Sequence, residues 1–256
     1  MIKKYLSMIV VLLLLLSCTG GNYSSNSVTL IAHAGGAVGG EVMTNSLEAL
    51  HAAHNNGYKY IELDLNFTSD SILVAVHDWA EYNESMGMEE RGDSAPTLAF
   101  FMSNPLPSGH TPLSADGINQ FFLTYDNLHF VTDKISDPDV LERFFPDLKE
   151  RMVVEAFNYD HYSALIDRGF EYVTYSCLAE DIPSATMKHI VFSWLFPGKK
   201  IERLALHTSA FDYLYMKFLL SISEFEISLF TVNNLYEIPE AASQGLKFIY
   251  TDSMLP

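Results

Sequence analysis

The chain has 256 residues, of which 48% are hydrophobic and 13% aromatic, and its 15 Lys and Arg against 32 Asp and Glu give a formal net charge of −17. That apolar content supplies a sizeable core without disulfides. The acidic balance argues against a nucleic-acid partner, because such binding rests on neutralising phosphates with Lys and Arg.

At the start of the chain, Lys3 and Lys4 precede an apolar run from Met8 to Leu16 that closes in Leu15-Leu16-Ser17-Cys18, the layout of a signal peptide. The run is shorter than the roughly 20 apolar residues of a membrane span, and a small residue followed by Cys resembles a bacterial lipobox. Residues 1–17 are therefore expected to be cleaved away and Cys18 to carry lipid. That places the mature protein in a bacterial cell envelope, facing the periplasm or exterior, attached to a membrane without spanning it. Residues 18–27, rich in Gly, Ser and Asn, read as a flexible tether, and residues 28–256 as one domain. Cys177, in the apolar and aromatic stretch Tyr172 to Leu178, reads as a small buried hydrophobe.

Within that domain a module recurs, made of a helical stretch, a Gly and a short aromatic and β-branched strand. Its copies end in Asn56-Gly57-Tyr58-Lys59-Tyr60-Ile61-Glu62, Arg168-Gly169-Phe170-Glu171-Tyr172-Val173-Thr174 and Gln244-Gly245-Leu246-Lys247-Phe248-Ile249-Tyr250. The Gly suits the left-handed residue that closes a helix. Asn45 followed by Glu48 approximates a capping box for the first helix, whose face carries Leu47, Leu50, His51 and His54, so both histidines read as packing or solvated residues. Further strands are expected at Val28 to His33, His129 to Asp133, Met152 to Phe157 and Ile227 to Val232. Strands alternating with helices imply an α/β fold with a mostly parallel sheet. A (β/α)8 TIM barrel is the preferred closure, and a doubly wound open sheet the alternative.

The chemistry gathers around Tyr60-Ile61-Glu62-Leu63-Asp64-Leu65-Asn66. Alternation puts Ile61, Leu63 and Leu65 on one face and Glu62 and Asp64 on the other, which points inward in a barrel. Two acids buried together repel each other and lose hydration, so they call for a cation or shared protons. Spaced roughly 6.6 Å apart along a strand, they can converge on one hard divalent ion. The next strand, Ile72 to Asp78, follows too closely for a parallel crossover and is expected to form a hairpin. A two-residue turn at Ser69-Asp70 would set His77 opposite Glu62, and one at Asp70-Ser71 would set it opposite Asp64, whereas a three-residue turn would reverse the facing. His33 ends the first strand and opens the small-residue loop Ala34 to Gly40, at the end of the strand where barrel enzymes hold catalytic groups.

Ala32-His33-Ala34-Gly35, Thr44-Asn45-Ser46-Leu47-Glu48-Ala49, Ile61-Glu62-Leu63-Asp64 and Val76-His77-Asp78 follow one another in this order, and Leu229-Phe230-Thr231-Val232-Asn233 and Ile249-Tyr250-Thr251-Asp252 close the chain. Together they resemble the His-Arg-Gly, Glu-Asn-Thr-Leu-Glu-Ala, Ile-Glu-x-Asp, His-Asp, Trp-Thr-Val-Asn and Ile-Ile-Thr-Asp motifs of glycerophosphodiester phosphodiesterases. The resemblance implies His33 and His77 as the acid and base pair, Glu62 and Asp64 as ligands of a magnesium or calcium ion, and a small-molecule or lipid-derived phosphodiester as substrate.

Ala34 departs from this pattern where the family has an arginine for the phosphate, a bidentate charged donor. For the third ligand, a Glu in Glu-Ile-Lys, the nearest match is Val131-Thr132-Asp133-Lys134. Aligning carboxylates selects Asp133 and aligning lysines selects Thr132; Asp133 is expected because a hard cation favours carboxylate. Lys134 is then a phosphate contact, and Glu155, on the next strand, either an additional ligand or an acid of the pocket wall. The Pro-containing segment 79–128 is long and irregular and resembles the substrate-shaping insertion found at a similar place in the family, without the usual motif after His-Asp, so the substrate stays open. The implied reaction is metal-dependent hydrolysis in two steps through a cyclic phosphate. A degenerate barrel that binds a phosphorylated ligand without turnover, favoured by Ala34, and a transferase that passes the phosphoryl-alcohol unit to envelope lipid or glycan are the alternatives.

Overall fold

The computed structural model describes residues 28–177, 201–212, 225–238 and 245–256. The signal peptide, Cys18, the tether and the helix expected before Gly245 lie outside the described residues, as does the side chain of Cys177.

Eight parallel strands close on themselves: β1 (Thr29–Ala32), β2 (Tyr60–Phe67), β4 (His129–Asp133), β5 (Met152–Ala156), β6 (Tyr172–Cys177), β7 (Arg203–His207), β8 (Glu226–Phe230) and β9 (Leu246–Thr251). β1 pairs with both β2 and β9, which completes the ring. The short β3 (Leu73–Ala75) lies antiparallel on β2 outside it. This is a (β/α)8 barrel, and the open doubly wound sheet is set aside by the β1–β2 pairing. Among the described residues no helix is long and apolar enough to cross a membrane.

Period two decides what each strand buries. On β2, Ile61, Leu63 and Leu65 turn outward and are completely buried in the layer between sheet and helices, a burial that contributes roughly 1.5–3 kcal/mol for each such side chain. The inward residues Ile31, Val131, Val153, Phe248 and Tyr250 form a separate cluster within the barrel, with Tyr60, Tyr172 and Phe230 packed on it. The apolar cluster thus fills part of the barrel, and the inward acids of β2, β4 and β5 stand against it.

Helix α1 (Leu47–Asn55) starts one residue later than the capping-box reading expected. Ser46 is the cap, accepting the Ala49 amide at 3.1 Å. Glu48 instead accepts from the Thr111 amide and hydroxyl at 2.8 and 2.7 Å, and Asn45 is released for another task. Gly57 follows the helix at φ 92°, the left-handed exit that its recurrence suggested. His51 and His54 pack against Phe121 and Tyr125 on the outer surface.

The segment expected to be irregular carries α2 (Trp79–Ser85), α3 (Leu98–Ser103) and α4 (Ala115–Thr124). Trp79, Tyr82, Phe101 and Leu106 form a small core of their own on Val74 and Val76. α4 belongs to the barrel wall, since Ile118, Phe121 and Phe122 join the main core.

Candidate active site

Glu62 and Asp64 on β2 and Asp133 at the end of β4 turn into the barrel, and each offers one oxygen within 4.8 Å of the others. Register explains the convergence, because Asp64 pairs with Asp133 across adjacent strands. Thr132, the alternative third ligand, alternates to the face of β4 opposite Asp133. Asn45 reads the cluster from the side: its Nδ2 donates to Asp64 Oδ2 at 2.9 Å and its Oδ1 accepts the Asp64 amide at 3.0 Å. The left-handed backbone of Asn45, φ 49°, directs that clamp. Ala34, fully buried and also left-handed, donates its amide to Glu62 Oε2 at 2.7 Å.

Glu62 Oε1 is left buried with no hydrogen-bond partner. An orphaned carboxylate oxygen facing two further acids matches a hard divalent cation, so these residues fit the ion that the sequence implied. Without one, loss of hydration and then the charges of Asp64 and Asp133 push the Glu62 carboxyl well above its ordinary range. Asp133 is pushed up to about 7 by burial and by its neighbours Glu155 and Asp64. Burial also raises Glu155. Glu155 lies outside the compact set of three, but it lines the same cavity of about 50 Å3 together with His33, Glu62, Asp133, Ser176, Phe230 and Tyr250.

His33 opens the loop after β1. Its Nδ1 lies 2.8 Å from Asp252 Oδ1, and its Nε2 lies 4.0 Å from Glu62 Oε2. Asp252 is itself oriented by Asn233, whose Nδ2 donates to Oδ2 at 2.7 Å. The His33 hydrogen bond and then that of Asn233 hold the Asp252 carboxyl below the usual carboxylate range, against its partial burial. Sequence reasoning recorded Thr251-Asp252 and Val232-Asn233 as motif matches but assigned them no role. Their signal was position: each lies just beyond an inward-facing strand end.

His77 corrects the two-residue hairpin turns. Phe67 pairs with Leu73 and Leu65 with Ala75, which leaves a three-residue turn, Ser69-Asp70-Ser71, with Ser71 at φ 63°. In this register His77 would lie opposite Leu63 and face away from the acids. The chain escapes that parity by leaving the ladder after the Val76 amide bonds Asp64 O at 2.9 Å. His77 then stands between two grooves: one of about 660 Å3 shared with Asp133, Lys134, Phe67 and Phe157, and one of about 520 Å3 shared with Asn45, Glu41 and Glu81. Its Nδ1 pairs with Glu81 at 2.8 Å. Lys134, left-handed at φ 67°, turns back across the mouth, with Nζ 3.8 Å from Asp64 Oδ1 and donating to the His77 carbonyl. Asp133 borders both the central cavity and the larger groove, so the two spaces meet at the acid cluster.

Residues 35–163 match the model of the glycerophosphoryl diester phosphodiesterase family. No curated protein matches the chain. Among solved structures, a glycerophosphodiester phosphodiesterase from Thermotoga maritima superposes with TM-score 0.68 at 16% identity over 90% of this chain and 96% of its own. One from Parabacteroides distasonis gives 0.62 at 18% identity over 90% and 94%. A phosphodiesterase from Oleispira antarctica, solved with the product sn-glycerol-3-phosphate, gives 0.61 at 21% identity over 89% and 94%.

Proposed function

The chain belongs to the glycerophosphoryl diester phosphodiesterase family and is a phosphoric diester hydrolase, and from that premise we propose that it hydrolyses a glycerophosphodiester to an alcohol and a phosphomonoester with a divalent cation and two histidines. The observation that carries this reading is the convergence of Glu62, Asp64 and Asp133 beside a cavity that Glu62 and Asp133 share with the Asp252-bound His33. The product bound by the Oleispira antarctica enzyme supports the substrate class.

Glu62, Asp64 and Asp133 would hold the cation, magnesium or calcium, with Asn45 fixing Asp64 and the Ala34 amide fixing Glu62. When bound, the cation polarises the phosphoryl oxygens and offsets their charge. Asp252 accepts the His33 Nδ1 proton and so leaves Nε2 facing the cavity as the atom that takes or returns a proton. His77, set by Glu81 at the mouth, moves the other proton, so one histidine deprotonates a neighbouring substrate hydroxyl and the other protonates the leaving alcohol. The resulting cyclic phosphate is then opened by water. Lys134 contacts the phosphate from the rim, carrying alone a task for which the family pattern also supplies an arginine. Supported by the Lys3 to Cys18 pattern, the protein works in the bacterial cell envelope, held to a membrane by lipid on Cys18.

A second reading, a barrel that binds a phosphorylated ligand without turnover, is favoured by Ala34, whose buried methyl brings no charge to the phosphate. One experiment separates the two. Glycerophosphocholine, glycerophosphoethanolamine and lysophospholipids are incubated with the protein and magnesium, calcium or chelator, beside His33→Ala and His77→Ala. Chelator-sensitive alcohol release that both substitutions abolish is expected. Metal binding without turnover of any diester would favour the binding barrel, and release that continues unchanged in both variants would remove the two-histidine mechanism.

A further inference from the structure

We propose that the substrate is a single-chain lipid diester, a glycerol that carries one acyl chain and a free hydroxyl beside its phosphodiester. The inference rests on the hydrolysis proposed above and names the class of diester that the site takes.

The mouth of the barrel separates two arms. A phosphodiester has two ester substituents, and His77 lies between two grooves that differ in chemistry. With the phosphate at their junction, beside Lys134, one arm enters each groove. The groove of about 520 Å3 carries Glu41, Asn45, Asp78 and Glu81 beside His77, groups that suit a polar alcohol. The groove of about 660 Å3 borders Asp133 and Lys134 and is lined by Phe67, Ile135, Val140 and Phe157.

The polar side chains of the larger groove are already engaged with the protein itself. Ser136 Oγ lies 2.8 Å from His161 Nδ1. Asn158 caps α6 (Tyr159–Asp167) by accepting the His161 amide at 2.8 Å, and Asp137 caps α5 (Pro138–Phe144) by accepting the Asp139 amide at 2.9 Å. The surface offered to a ligand is therefore that of Phe67, Ile135 and Val140, partly buried against the main core, with the half-buried Phe157. A bare glycerol arm would find little to bond there, whereas each methylene removed from water raises affinity about three- to fourfold. An acyl chain is the arm that this groove fits.

The chemistry then limits the lipid to one chain. In the first step the oxygen of a neighbouring substrate hydroxyl bonds to phosphorus and the P–O bond to the leaving alcohol breaks. The hydroxyl proton passes to one histidine, and the other protonates the leaving oxygen. Water opens the ring, so one lipid diester and one water give an acylglycerol phosphomonoester and an alcohol. A glycerol acylated on both remaining oxygens has no hydroxyl to begin this sequence. The acylglycerol arm thus lies in the larger groove and the leaving alcohol in the smaller one, where Glu81 sets His77.

The test is choline release by the full chain in magnesium or calcium. Glycerophosphocholine is compared with hexanoyl, octanoyl and decanoyl lysophosphatidylcholine below their micelle concentrations, and dihexanoyl phosphatidylcholine serves as the two-chain control. We expect kcat/KM to rise about threefold or more with each step of two carbons, and the two-chain lipid to release no choline. Val140→Asp puts a carboxylate into the groove and Phe157→Ser removes a ring. Each should lower the ratio of kcat/KM for the decanoyl lipid to that for glycerophosphocholine by about tenfold or more. That ratio does not depend on the fraction folded, and the chain series in the unaltered protein decides the matter should both variants fail to fold. Turnover of glycerophosphocholine with no gain from the chain would leave the hydrolysis standing and overturn the single-chain lipid. No choline from any diester would overturn both. A gain retained in full by both variants, or equal release from the two-chain lipid, would also defeat the proposal.

Discussion

His33 is held between two acids that do different things to it. Asp252 takes the Nδ1 side at 2.8 Å, whereas Glu62 stands 4.0 Å from Nε2, close enough to influence a proton there but not to bind it as a partner. The tautomer is therefore set by Asp252, as in other sites where a carboxylate orients an imidazole. Asp252→Asn keeps the shape but loses the charge and can present an amide donor to Nδ1. It is expected to lower kcat by about 10²–10⁴-fold with KM nearly unchanged, and to displace the pH limb of kcat/KM that belongs to His33. Steady-state kinetics across pH check this, and an unchanged pH profile with a lower melting temperature would mean that Asp252 is merely structural. Asn45 makes the corresponding test for the acids. Its side chain bonds both the carboxylate and the amide of Asp64, so Asn45→Ala should weaken divalent-metal affinity by about 10–100-fold, the usual effect of removing a group that orients a ligand. Calorimetric titration with calcium measures it, and an affinity within a factor of two of the unaltered protein would remove Asn45 from that role.

At the scale of elements, the β2–β3 hairpin determines where His77 leaves the sheet. The Thr68 amide bonds Ile72 O and the Ser71 amide bonds Thr68 O, both at 2.9 Å, which closes a three-residue turn with Ser71 in the left-handed region. Glycine tolerates that region and a β-branched residue does not. Ser71→Gly should keep or slightly raise stability, whereas Ser71→Val should lose about 1–2 kcal/mol in urea unfolding. Equal stability of the two would contradict this turn and return the hairpin to a two-residue register. The same element marks the limit of what the sequence disclosed. β2 was legible because its two faces differ so strongly, apolar residues at 61, 63 and 65 against acids at 62 and 64. The facing of His77 was not, because one residue of turn length inverts it and no local residue type fixes that length. β7, Arg203-Leu204-Ala205-Leu206-His207, went unnoticed because it lacks the β-branched and aromatic residues that announce a strand. The place of Asp133 beside Glu62 and Asp64 was recoverable from ligand chemistry. The pairing of His33 with Asp252 was not, since 219 residues separate them and only barrel closure joins β1 to β9.

For the molecule as a whole, the buried acids set stability against pH. Burial first, and the neighbouring acids next, raise Glu62 and bring Asp133 to about 7, while in the unfolded chain both titrate near 4. Between those limits the native state, free of metal, holds protons that the unfolded state has released, so native stability falls as pH rises from about 4 toward 7. Acids held low act elsewhere. Asp252, held down by His33, and Glu142, held down by Lys149, contribute stability that is present above about pH 4 and is lost as pH falls through their folded values. A divalent cation held by these acids, as proposed, would reverse the penalty on the ionised cluster, because it would bind the deprotonated acids of the native state and find no assembled site in the unfolded chain. The chelated protein should therefore show a melting temperature that declines between pH 4.5 and pH 7, with the decline reduced in Asp133→Asn. Saturating calcium should flatten or invert it, and the gain from calcium should be greater at pH 7 than at pH 4.5. Scanning calorimetry in matched buffers decides the point. A chelated melting temperature that rises across this window, identically in Asp133→Asn, would mean that these acids are not crowded in the native barrel, and the argument for a cation among them would fall with it.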